Sequence, residues 1–173
     1  SIVIFTSLLF TEIIRRYTLK KNFLDTPNER SSHTVPTPRG FGLSIAVIFL
    51  VIVIFTDSLE SEIVWAFIGS GILVAVTGFW DDKSHISARW RLLSHFIAAI
   101  WVLYWLGGIP EFEFLGLAIN LSWFGFVIVA FALVWLLNLF NFMDGIDGIA
   151  ASETIFIAGA GAYFSWLNGL DDL

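Results

Sequence analysis

The chain has 173 residues, 57% of them hydrophobic and only 14% charged, with a mean hydropathy of +0.83 and a net charge of −6. Soluble domains carry roughly a quarter charged residues, so these values exclude an ordinary soluble domain and make a membrane protein the first reading. With no cysteine there is neither a disulfide framework nor a thiolate metal site.

Apolar windows, free of charge except for Glu12 and Glu153, mark the spans in chain order: 1–14, 41–56, 63–80, 92–106, 121–140 and 149–167. Most approach the roughly 20 residues that cross a bilayer core. The expected fold is therefore all-α, a polytopic membrane helix bundle forming one integral-membrane domain over 1–173. The sequence opens at Ser1, already apolar, and stops at "LNGLDDL". A piece of a longer protein, cut at both ends, is expected.

All nine basic residues lie in two windows, six from Arg15 to Arg39 and three from Lys83 to Arg91. Basic residues beside spans mark the cytoplasmic side. Alternation then makes 15–40, 81–91 and 138–148 cytoplasmic loops. It leaves the short acidic segments 57–62 and 107–120 outside. Trp65, Trp80, Trp90, Trp105, Trp123 and Trp166 fall near span ends, as interfacial aromatics do. Gly69, Gly71 and Gly78 in one span, and Gly159 and Gly161 in another, suit close helix packing.

The first polar segment reads "DTPNERSSHTVPTPRGFG". Pro27, Pro36 and Pro38 interrupt any helix. Arg30, His33 and Arg39, among serine and threonine hydroxyls, can bind phosphate through charge-assisted hydrogen bonds. Arg15, Arg16, Lys20 and Lys21 read as positive-inside anchors. The second segment, "GFWDDKSHISARWR", puts Asp81 and Asp82 directly after an apolar span. Adjacent carboxylates repel, and acids are unfavourable at a helix C-terminus. Lys83 or a divalent cation is the expected neutralising charge. His95, inside the next span, reads as a packing histidine.

The third segment, "NLFNFMDGIDG", ends a run from Phe114 to Met143 without a charged residue. Asn138, Asn141, Asp144 and Asp147 recur every three residues, so neighbours in the series share a helix face. Gly145 and Gly148 allow the chain to leave helical geometry. Acids, hard oxygen donors and arginines on one membrane face form a kit for phosphoryl chemistry. An ion-coupled membrane transporter is the alternative, since intramembrane acids mark ion paths. The acids of the polar segments lie at span ends, however, and the acids within the windows are Glu12 and Glu153.

Together, "DTPNERSSHTVPTPRG", "GFWDDKSHISARWRLLSH" and "NLFNFMDGIDGIA" resemble the polyprenyl-phosphate N-acetylhexosamine-1-phosphate transferases, the MraY-like and WecA-like family. The first segment looks most like the O-antigen-initiating, WbpL-like branch. The resemblance implies transfer of an N-acetylamino sugar 1-phosphate from a UDP-sugar to undecaprenyl phosphate, with release of UMP. It implies Mg2+, with Mn2+ as a substitute. The expected location is the bacterial plasma (inner) membrane, multi-pass, with cytoplasmic active-site loops. By motif, Asp81 and Asp82 are the catalytic pair, and Asn141 and Asp144 are metal-associated. Arg30, His33, Arg39, Arg89, Arg91 and Asp147 contact substrate. Family members have ten or eleven spans and are often homodimers. About six spans are present here, so this piece alone is expected to be nearly inactive. No nucleic-acid partner is expected.

Overall fold

In a computed structural model, the described residues are 2–21, 24–25, 37–38, 41–57, 59–84, 86–109, 111–114, 117–119, 121–143 and 148–169. Among them six helices carry the fold: α1 (Ile2–Lys20), α2 (Phe41–Phe55), α3 (Ser61–Ser84), α4 (Ala88–Trp105), α5 (Ser122–Met143) and α6 (Ile149–Leu167). Each window read as a span lies on one of them. Two minimal antiparallel ladders join them. β1 (Leu24–Asp25) pairs with β2 (Thr37–Pro38), and β3 (Phe112–Phe114) pairs with β4 (Leu117–Ile119).

α3 and α5 are long and apolar enough to cross a membrane, and α2 is apolar but shorter. Length alone does not separate a span from the core helix of a soluble protein. Burial does: only 11% of the α3 window and 17% of the α5 window are buried within the bundle. The large apolar side chains face outward, among them Phe5, Phe55, Phe131, Ile155 and Phe156. The interior is rich in small and polar residues, among them Ser44, Ala66, Ala98, Ala99, Thr77 and His95, beside Val53, Leu103 and Val134. This inverted pattern is that of helices packed by small residues in lipid. Hydroxyls within the apolar helices bond back to the carbonyl four residues earlier, as in Ser70 to Ala66, Thr77 to Leu73 and Thr154 to Ala150. Lipid offers no water to satisfy them.

The helices contact one another in chain order, α3 against α4 most extensively and α5 against α6 least. Gly69 lies against the indole of Trp101 on α4, where a Cβ would overlap the ring. Trp101 Nε1 donates to the Trp65 carbonyl at 2.9 Å, and Trp65 stacks on Trp105. A Cβ on Gly71 would stand 2.9 Å from Leu50 Cδ2 of α2. These two glycines are the packing positions expected. Gly78, Gly159 and Gly161 have no neighbouring atom within reach of a Cβ. For α6 the reason is plain, because it buries no residue.

The segments read as loops are shorter than expected. α1 runs on to Lys20, α3 to Ser84 and α5 to Met143, and α4 begins at Ala88. Only 85–87 lie between α3 and α4. At the α3–α4 hairpin the helices extend past the apolar windows because Asp81 and Arg91 find each other across it.

Candidate functional site

Asp81 and Asp82 sit in the final turns of α3, and Arg89 and Arg91 in the first turn of α4. Each charge is at the wrong end of its own helix dipole: acids at a C-terminus, arginines at an N-terminus. The hairpin sets these mismatched ends side by side. Arg91 Nη1 donates to Asp81 Oδ2 at 2.7 Å, with the two side chains 31% and 21% exposed. The cation that neutralises Asp81 is therefore Arg91, ten residues on, in place of the adjacent Lys83 considered from sequence. Lys83 is exposed, as is Arg89, while Asp82 is half-buried.

One turn deeper, the Thr77 and Ser94 hydroxyls hydrogen-bond across the same pair of helices. Next along α4, His95 is buried, and Asn138 Nδ2 of α5 lies 3.3 Å from its Nδ1. Polar contacts thus run from Asp81–Arg91 through Thr77–Ser94 to His95–Asn138, crossing three helices. The series Asn138, Asn141, Asp144, Asp147 does not behave as one unit. Asn138 turns inward to α4, whereas Asn141 is exposed. Asp144 and Asp147 lie outside the described residues. Beyond them Gly148 caps α6 with φ of 81°, the left-handed geometry expected of that glycine.

Arg30, His33 and Arg39 also lie outside the described residues. The ladder that pairs Leu24 with Pro38 and Asp25 with Thr37 holds the two ends of their segment together. β2 contacts α1. Alternation of the helices in chain order brings the C-termini of α1, α3 and α5 and the N-termini of α2, α4 and α6 to one end of the bundle.

Mg2+ takes hard oxygen donors, and a site usually combines one or two carboxylates with waters and substrate phosphates. Among the described residues no three acids or histidines gather closely enough to form a metal cage. Asp82 and Asn141 are of the right donor type. Asp81 is already engaged by Arg91. The residues fit a cation held jointly with substrate phosphate better than one held by protein alone.

His95, Thr77 and Ser94 were not picked out from sequence as partners of the acidic pair. The spacing held a signal: Thr77 and Asp81 are four apart, as are Arg91 and His95, which puts each pair on one face of an apolar helix.

An all-α bundle inverted for lipid, with acids and arginines gathered at one end, defines a membrane protein with a polar site at the membrane boundary. Residues 64–173 match Glycosyl transferase family 4, and the chain belongs to that family. It is 27% identical over 152 residues to a "Probable undecaprenyl-phosphate N-acetylglucosaminyl 1-phosphate transferase" of Bacillus subtilis (strain 168), covering 87% of this chain and 42% of that protein. It is 28% identical over 153 residues to a "Phospho-N-acetylmuramoyl-pentapeptide-transferase" of Vesicomyosocius okutanii, covering 78% of this chain and 42% of that protein. A protein of the same name from Pelagibacter ubique is 27% identical over 164 residues, covering 84% and 45%. The chain thus spans about two fifths of the length of these relatives.

Proposed function

We propose that the protein transfers an N-acetylamino sugar 1-phosphate from a UDP-sugar to undecaprenyl phosphate at the cytoplasmic face of a bacterial inner membrane. A phosphate oxygen of the lipid attacks the β-phosphorus of the UDP-sugar. The new P–O–P bond forms as the bond between that phosphorus and the bridging oxygen breaks. UMP leaves with the bridging oxygen, and the lipid carries a diphospho-sugar. The observation that carries this reading is the Asp81–Arg91 pair beside Asp82 at the membrane boundary, in a chain whose relatives are named as such transferases.

Each residue then has a role. Asp81 fixes the Arg91 guanidinium, whose remaining N–H groups can hold phosphate oxygens. Arg30, His33, Arg39 and Arg89 add donors for the two phosphorylated substrates. Asp147 binds the nucleotide sugar. Asp82, Asn141 and Asp144 would hold Mg2+, which when bound supplies positive charge against the diphosphate. A lipid phosphate is ionised near neutral pH, so positioning and charge contribute more than proton removal. The "PNERSSHTVPTPRG" segment favours the O-antigen-initiating branch, and the active form is a homodimer. The transporter alternative finds no support in Glu153, which sits in the second turn of α6, near its end.

The test is UMP release from UDP-N-acetylamino sugars with undecaprenyl phosphate and Mg2+, on the protein expressed from its complete reading frame. The parent should release UMP, and Asp82→Asn should not. No release from the parent, or equal release from both, contradicts the proposal.

A further inference from the structure

The contact between His95 and Asn138 has no part in the reaction proposed above, yet its hydrogen bonds can be assigned atom by atom. Asn138 Nδ2 lies 2.7 Å from the Val134 carbonyl oxygen and 3.3 Å from His95 Nδ1. A carbonyl oxygen only accepts, so the amide atom facing it is the nitrogen, which fixes which way the amide is turned. An amide nitrogen has two hydrogens. One goes to Val134, and the other points at His95. Nδ1 must then accept, and the neutral ring carries its proton on Nε2.

Both hydrogens of the Asn138 amide are thus consumed inside the bundle. Among the described residues neither Asn138 Oδ1 nor His95 Nε2 has a hydrogen-bond partner. His95 itself is only 6% exposed. Neither atom is fully enclosed, since among the described residues the enclosed side-chain polar atom without a partner is Trp105 Nε1; both are therefore open to a group from outside the protein's own contacts. The pair lies one helical turn from Arg91 along α4 and one turn from Asn141 along α5. The pair, with one acceptor and one donor not used inside the bundle, therefore lies near the end that carries the acidic pair.

The geometry points to His95 as a positioning residue, which locks the Asn138 amide by accepting at Nδ1 and so keeps Oδ1 available as an acceptor for the nucleotide-sugar site. Phosphate oxygens are themselves acceptors, so the group that Oδ1 takes is an N–H or O–H of the uridine or the N-acetylamino sugar. This role rests on the transferase reading. The lock itself does not.

Two measurements separate them. Nitrogen-15 spectra of the histidine rings, on the complete protein in lipid nanodiscs, read the lock directly, with His95→Gln identifying the His95 signals. The expected result is an Nε2-protonated ring whose Nδ1 signal moves in Asn138→Leu. An Nδ1-protonated or doubly protonated ring, or no response to Asn138→Leu, overturns the lock. Kinetics read the positioning. Glutamine can still accept from Asn138, so His95→Gln should keep kcat/KM for the UDP-sugar within about threefold. His95→Leu should raise the KM for the UDP-sugar on the order of tenfold or more, with the KM for undecaprenyl phosphate unchanged. Equal effects of Gln and Leu, or equal shifts in both KM values, overturn the positioning role. A wild type that releases no UMP removes the transferase reading and this role with it, and the spectra still decide the lock.

Discussion

Arg91 and Asp81 lie ten residues apart in the chain and 2.7 Å apart in space. Their pairing joins the N-terminus of α4 to the C-terminus of α3. Each charge is destabilising on its own helix and compensated by the other. The hairpin and the site are thus one structure. The same pair that holds α3 against α4 fixes the guanidinium at the membrane boundary.

That pair should be energetically stronger than the contact one turn deeper. A double-mutant cycle on Asp81→Asn and Arg91→Leu should give a coupling of about 1–2 kcal/mol, as for a charge-assisted hydrogen bond in a partly exposed setting. The cycle on Thr77→Val and Ser94→Ala should give about 0.6 kcal/mol, typical of interhelical hydrogen bonds in membranes. Reversible unfolding in mixed micelles measures both, and the reverse order would contradict the assignment.

Asp82 should behave unlike Asp81. Asp82→Asn should lower transfer on the order of 100-fold or more with little change in thermal midpoint. Asp81→Asn should lower both, because it frees Arg91 from its anchor. Melting curves beside initial rates of UMP release separate the two cases.

Glycines in similar sequence settings should respond oppositely. Gly69→Ala places a methyl in the Trp101 ring and should cost about 1–3 kcal/mol. Gly159→Ala meets open space on α6 and should gain roughly 0.5–1 kcal/mol in this chain from helix propensity alone. Unfolding followed by circular dichroism tests both signs.

Much of this was legible in the sequence. Apolar windows located the six helices of the described residues, because lipid demands apolar length and the demand is written residue by residue. The motif segments located the site's end of the bundle. Partners were less legible. Asp81 found Arg91 because a three-residue connection folds the chain back on itself, which no reading of adjacent residues such as Lys83 contains. His95 reads from sequence as a packing residue, and it does pack, but its hydrogen bond to Asn138 depends on the rotation of α5. Gly69 and Gly159 look alike in sequence and differ only in whether a neighbouring helix is present. Arg30, His33, Arg39, Asp144 and Asp147 lie outside the described residues, and their place in the site rests on the motifs.

The central claim is that phosphorus travels with the sugar. A UDP-N-acetylamino sugar labelled with 32P at the β-position, given to the complete protein with undecaprenyl phosphate and Mg2+ in nanodiscs, tests it in one step. The account predicts that label passes into the organic-soluble lipid fraction as unlabelled UMP appears in equal amount. Label remaining in aqueous UDP while sugar appears on the lipid would contradict it.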